Sequence, residues 1–468
     1  MDHWQSDASL PEREHVKHVE YTAVPLEAAA LTPVAAAAAA TELATTAATS
    51  ADVTQQLRPG RWQYLGLSLA FLAVSAVWGA GLQVLLPQQV AALVGNAQKV
   101  TVLGLVTGIS AIVAMAWAPI AGLLSDRTRS RLGRRNIWVL FGAIATALLL
   151  LLLGQAATIP LVIALWCAVQ ITTNSISSPL SAVIPERFPV SRRGTISALA
   201  GIGALLGTFL GVAIGGLTRS LTVGWLTVGG VVLVLGVLYA LTAREPVQVQ
   251  EALAREAKAR ARARRAGASI KIDLPRNADY WWAFAGRFGI ILGEQSLLGY
   301  QFYIVSDYLH LGQTNPTLPV ATAVVILSGL FTLFILPSMA VAGWLSDKVG
   351  RVKPFVFLTS LGFVVPMALL LFVPSWPTMI VAQVINGIVF GMYLSVDLAL
   401  MSRVLPNVEN AARDLGILNI ANAGPQVIAP FVASLIITFL GGYHSLFIFG
   451  IVVVVLGALT VRQIRSVN

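Results

Sequence analysis

The chain has little of what a catalytic or disulfide-built protein needs. It holds one cysteine, Cys167, within an apolar run, so no internal disulfide can form and no thiolate metal site can be assembled. Cys167 reads simply as a small buried hydrophobe. The five histidines (His3, His15, His18, His310 and His444) fall in an N-terminal tail or in short connections, and no metal-ligand spacing links them. No Gly-x-x-x-x-Gly-Lys-Ser/Thr loop is present, which argues against an ATP-driven pump, and no constellation points to an enzyme or to a cofactor. Charge is scarce too: 11% of residues are charged, against about 25% in soluble proteins.

What is present is apolar, with 56% of the 468 residues hydrophobic. A membrane-spanning helix needs about 20 mostly apolar residues, because its backbone polar groups must bond internally where there is no water. Twelve such segments can be drawn: Tyr64–Leu86, Val100–Leu124, Ile137–Gly154, Pro160–Ile184, Thr195–Leu217, Val223–Leu241, Tyr280–Val305, Pro319–Leu345, Pro354–Phe372, Pro377–Ser402, Leu415–Leu440 and Tyr443–Val461. The expected fold is an all-α membrane protein of twelve transmembrane helices.

A net charge of +10 would suggest nucleic acid as the partner of a soluble domain. Here the basic residues cluster between apolar runs, so membrane lipids are the expected neighbours and nucleic acid is not. With the N-terminus in the cytoplasm, the inner connections carry Arg127, Arg129, Arg131, Arg134, Arg135, Arg187, Arg192, Arg193, Lys348, Arg351, Lys353, Arg403, Arg413, Arg462 and Arg465, and the outer ones only Lys99 and Arg219. Cytoplasmic N- and C-termini follow from that bias, and the expected location is a bacterial inner membrane. Residues 1–60, acidic and then rich in Ala and Thr, read as a disordered cytoplasmic tail and not as a secretory signal. Residues 244–279, with Arg255, Lys258, Arg260, Arg262, Arg264 and Arg265, read as a basic linker between two six-helix halves, 61–243 and 280–468.

The halves repeat each other at one offset. Gly122-Leu-Leu-Ser-Asp126-Arg127 returns as Gly343-Trp-Leu-Ser-Asp347-Lys348, and Val183-Ile-Pro185 returns, equally displaced, as Val404-Leu-Pro406. A duplicated six-helix unit predicts this register. At these residues the sequence resembles the major facilitator superfamily, whose hallmark is Gly-x-x-x-Asp-Arg/Lys-x-Gly-Arg/Lys after the second and eighth helices. The second copy, Gly343 to Arg351, fits directly; the first is expanded through Asp126-Arg-Thr-Arg-Ser-Arg-Leu-Gly133-Arg134-Arg135. That form, together with the segment from Asp414 to Gln426, resembles the sucrose/proton symporter and glycoside transporter branch. The resemblance implies that Asp126, Arg127, Arg134, Asp347, Lys348 and Arg351 act in gating, through charge-assisted contacts that latch the cytoplasmic helix ends in one state.

It also implies that the first, fourth, seventh and tenth helices line a central cavity. Ionisable residues at bilayer depth cost at least about 2.5–3.5 kcal/mol and are functional candidates by default. Arg287, Glu294 and Gln301 share one face of the seventh segment by their spacing, and Asn386, Tyr393 and Asp397 one face of the tenth. Arg287 and Asp397 fall at similar depth and are expected to pair. Glu294 lies near the midplane, where loss of water makes the neutral carboxyl competitive with the ionised one; it is the first candidate for a proton carrier and Asp397 the second. A static network around Arg287 and Asp397 is the structural alternative.

Candidate solute ligands are Gln83, Gln170, Asn174, Gln295, Gln301, Asn386, Tyr393, Asn419, Asn422 and Gln426, neutral donors and acceptors that suit a hydroxyl-rich cargo. Plain interhelical hydrogen bonding, about 0.6 kcal/mol each, competes for many of them. Trp78, Trp281 and Trp282 are candidates for stacking on sugar rings. Gly203, Gly207, Gly211 and Gly215 form a packing ridge; Gly207 to Gly216 also resembles a drug-exporter motif, with Val212 in place of its proline. The functional expectation is a monomeric secondary transporter, a proton-coupled symporter of a small sugar-like solute. A proton-coupled exporter and a non-transporting membrane sensor are the alternatives.

Overall fold

The computed structural model describes residues 59–243, 277–349, 353–404 and 411–464, with short helical pieces between residues 41 and 49 and between 251 and 262. Arg351, the side chains of Asp347 and Asn419, and most of the expected tail and linker lie outside the described residues. The described pieces of residues 1–51 and 252–271 belong to a small unit of their own, in which Arg262 pairs with Glu42 at 2.9 Å.

The first half consists of α1 (Arg61–Ala80), α2 (Leu86–Arg127), α3 (Asn136–Leu153), α4 (Ile159–Arg187), α5 (Val190–Leu217) and α6 (Leu221–Thr242). The second half holds α7 (Ala278–Leu298), α8 (Val320–Val349), α9 (Lys353–Phe372), α10 (Trp376–Val404), α11 (Ala411–Phe439) and α12 (Tyr443–Gln463). Ten helical stretches are long and apolar enough to cross a membrane among the described residues. One of them, Arg61–Arg127, is 67 residues long and makes two passes. α7 is less apolar because Arg287, Glu294 and Gln295 lie within it, and it completes the set of twelve. Side chains such as Ile112, Phe141, Leu148, Val234, Leu333 and Phe439 point outward, as lipid requires.

Two breaks depart from the expected segments. The first two passes join without a loop, through the π-helical turn Gly81–Leu85 and a reversal at Gly95, whose φ of 72° is open to glycine at little cost. The seventh pass is not continuous to Val305: it stops at Gly299, restarts at Gln301 and passes through a second π-helical turn, Ile304–Tyr308. Such turns mark places where side chains are re-aimed inside a helix.

Small residues set the packing. A side chain at Gly203, Gly207 or Gly211 of α5 would collide with the carbonyls of Ser68, Leu72 and Ala76 on α1, so these two helices meet backbone to backbone. Gly387 and Gly391 of α10 serve α8 in the same way, against Phe331 and Ile335. Between the halves, α2 packs on α11 and α5 on α8. Gly104 meets Ser434, Gly108 meets Phe431 and Gly216 meets Ala321 and Val325. Val84, Val212 and Val324 form a separate buried apolar contact there. Gly122 lies five turns along α2 from Gly104 and so on the same face, yet among the described residues nothing stands within 4 Å of its would-be side chain. Among the described residues the contacts between the halves gather toward the Lys99 end of the bundle and thin out toward the Asp126 end.

Candidate functional site

The two intramembrane stripes meet. Arg287 Nε of α7 lies 3.3 Å from Asp397 Oδ2 of α10, an ion pair by distance that lacks hydrogen-bond alignment. Their side chains are 12% and 2% exposed. Asp397 Oδ1 accepts from the Tyr393 hydroxyl at 3.2 Å, so the carboxylate is held from two sides. Two turns further along α7, Glu294 is 5% exposed and accepts from Asn386 Nδ2 at 2.8 Å. Among the described residues no cation pairs with it. The charges thus separate into a compensated couple and a lone carboxyl whose neighbour is neutral, in a setting where an isolated charge is costly.

Gln301 is brought to the same place as Glu294, although the helix break lies between them. Both line a small cavity, about 50 Å³, walled only by the second half. The other candidates scatter. Gln170 accepts from Trp78 Nε1 at 3.1 Å, and Asn174 donates to the Gln170 carbonyl at 2.8 Å, both within the first half. Gln83 joins the halves by accepting from Ser328 at 3.0 Å. Gln295 is half-buried, and Gln426 is exposed and donates to the Asn422 carbonyl at 3.2 Å. Trp281 and Trp282 are 38% and 43% exposed near the start of α7, where interfacial aromatics belong.

At the Asp126 end the ion pairs among the described residues lie within the first half. Arg135 Nη2 reaches Asp126 Oδ1 at 2.5 Å, Arg135 Nε donates to Glu186 Oε2 at 3.2 Å, and Arg134 Nη2 lies 2.7 Å from Glu186 Oε1. Arg135 also donates to Ser125. Gly133, at φ 100°, turns the chain so that both arginines face the end of α4. Arg127 is exposed, and Lys348 lies 5.0 Å over the Trp344 ring. Arg135 and Glu186, absent from the candidate set, do most of the binding here. Arg135 was legible as part of the hallmark's basic run, whereas a lone Glu after a proline gave no signal.

The Lys99 end was not anticipated. Lys99, 5% exposed, bonds Asp307 at 2.7 Å, and Asp307 also accepts from Tyr443 at 3.0 Å and Ser306 at 2.6 Å. Lys99 sits 4.9 Å from the Tyr303 ring centroid, and the Tyr303 hydroxyl donates to the Pro87 carbonyl at 2.9 Å. The Tyr300 and Ser434 hydroxyls both donate to the Val100 carbonyl, at 3.3 Å each, and Thr101 meets Thr438 at 3.1 Å. All of these tie one half to the other except the Asp307 bonds to Tyr443 and Ser306. The one signal in the sequence was an acidic residue, Asp307, in an otherwise apolar and aromatic stretch.

Comparison with curated protein sequences finds no match. Solved structures do match. A variant of the nucleoside transporter NupG aligns with a TM-score of 0.65 at 12% identity, over 86% of this chain and 99% of that one. A bacterial homolog of the human lysosomal transporter Spinster, in its inward-facing, unoccupied conformation, aligns with a TM-score of 0.61 at 13% identity, over 87% of this chain and 96% of that one. At such identities the likeness is one of fold. The sequence profile of the Major Facilitator Superfamily matches residues 64–332 and 320–465, nearly everything after the tail, and the chain therefore belongs to that superfamily of membrane transporters.

Proposed function

We infer that the protein is a secondary transporter that couples a small polar organic solute, such as a sugar or glycoside, to protons by alternating access. The observation that carries this reading is Glu294: a buried carboxyl hydrogen-bonded to a neutral amide, beside an Arg287–Asp397 couple that already balances its own charge. A proton is the smallest species that neutralises such a group, and the cost of leaving it ionised supplies the coupling. With the N-terminus in the cytoplasm, the Asp126 end faces inward and the joined Lys99 end outward, so the described conformation is the inward-open one. The glycine ridge of α5 packs on α1, so it needs no exporter role to account for it.

Nucleosides, the cargo in the name of one structural neighbour, are sugars joined to a base and belong with the glycosides to be tried. The test is flux in proteoliposomes under an imposed pH gradient, with cargo first found by thermal stabilisation across sugars, glycosides, nucleosides and hydrophobic cations. Glu294→Gln is expected to abolish proton-driven accumulation and to leave solute-driven counterflow intact. Accumulation equal to wild type would remove Glu294, and this reading, from consideration.

A further inference from the structure

The cavity beside Glu294 holds more polar capacity than the surrounding protein satisfies. It lies between α7 and its continuation (Glu294, Gln301, Ile304), α9 (Met367), α10 (Met379, Gln383, Asn386) and α12 (Phe447), all in the second half. Both side-chain polar atoms of Gln301, a residue 3% exposed, and the Oδ1 atom of Asn386 have no hydrogen-bond partner among the described residues. Gln383 on the same wall is 7% exposed. An unpaired donor and unpaired acceptors set in one otherwise apolar cavity call for a ligand that both donates and accepts. A monovalent cation would serve the oxygens and leave Gln301 Nε2 unpaired. At about 50 Å³, and with each water needing roughly 10–15 Å³, the space suits a short file of water.

We propose that this cavity is a water site that delivers protons to Glu294 from inside the second half, without passage through the space between the halves. The inference rests on the proton-coupled reading given above. Asn386 holds one Glu294 oxygen, so the carboxylate gains an O–H bond as the adjacent water gives up its proton, and that water is restored by the next one toward Gln301. The file runs toward Ile304, the start of the second π-helical turn, and so toward the joined Lys99 end. Among the described residues Glu294 is the only titratable group lining it; α9 and α12 present apolar side chains, Arg287 and Asp397 stand two turns away toward the Asp126 end, and Lys99 and Asp307 lie beyond Ile304.

Met367 and Met379 on the cavity wall, 3% and 4% exposed, make the water directly testable, with Met401, 2% exposed on α10, as the dry control. Radiolysis of bound water oxidises the methionines that touch it. In the purified protein Met367 and Met379 are expected to oxidise several times faster than Met401, and filling the cavity from either wall, by Ala382→Val or Leu370→Phe, is expected to bring them down to the Met401 rate. In proteoliposomes the same variants should slow proton-driven accumulation while counterflow shows that they are folded. Oxidation of all three methionines at one rate would overturn the proposal, as would a filled cavity with unchanged accumulation, or stabilisation of the wild type by Na⁺ over K⁺ that the filled variants lose. These outcomes leave the Glu294→Gln test untouched, so either idea can fail without the other.

Discussion

The two ends of the bundle hold charges of the same kinds and use them differently. At the Asp126 end, two arginines, an Asp and a Glu bind elements of one half to each other, with Asp126 43% exposed. At the Lys99 end, a buried lysine of one half meets an aspartate of the other. Among the described residues the first arrangement acts within one half; the second exists only while the halves touch. The likeness of form between the two copies of the motif nominates gating charges without naming their partners. What tells is whether the partners sit on one moving body or on two.

That difference can be tested by degrees. The largest effect is expected from Lys99→Met, which leaves Asp307 largely buried without its cation: the joined state should lose about 3 kcal/mol, more than a hundredfold in population, given the known cost of breaking buried pairs. Alkylation of a Thr101→Cys reporter should rise accordingly, and Lys99→Met combined with Asp307→Asn should recover much of the loss. If Thr101→Cys reacts no faster in Lys99→Met, the pair does not hold the halves together.

Next comes Gly104→Val, which drives a side chain into Ser434 across the closed contact and should cost the joined state about 1–3 kcal/mol, as overpacking does. Gly122→Val, on the same face where the halves part, should leave that reporter unchanged. Equal effects at the two glycines would erase the distinction between the ends.

At the Asp126 end, Glu186→Gln removes the shared partner of Arg134 and Arg135 and should lower thermal stability by about 1–2 kcal/mol without changing reporter alkylation. Asp126→Asn touches a half-exposed pair whose arginine keeps Glu186, so a loss below about 1 kcal/mol, further reduced by salt, is expected from calorimetry in rising NaCl. A large loss from Asp126→Asn, or opening of the Lys99 end by either change, would show the two networks to be coupled.

The helices were legible because lipid imposes one rule, long apolar runs with internally bonded backbones, and the halves were legible because duplication left Gly122–Arg127 and Gly343–Lys348 in register. The meeting of Arg287 with Asp397 could be anticipated from depth and helical phase alone, since both stay on regular helices. Gln301 also reaches the cavity of Glu294, as its spacing expected, but by way of the break at Gly299, which the spacing did not show. Lys99 was legible only as an outer-loop cation, because its partner lies in the other half.

The sequence by itself determined the twelve apolar passes, the duplicated halves and the polar stripes of α7 and α10, since each depends on spacing along one helix in a solvent that tolerates few polar groups. Only the tertiary structure decided where the described halves meet, that Lys99 pairs with Asp307, and that Glu294 and Gln301 share a cavity of their own half. Those depend on contacts between distant segments, where a single buried charge or a glycine face is worth as much as a whole run of leucines and leaves no periodic trace.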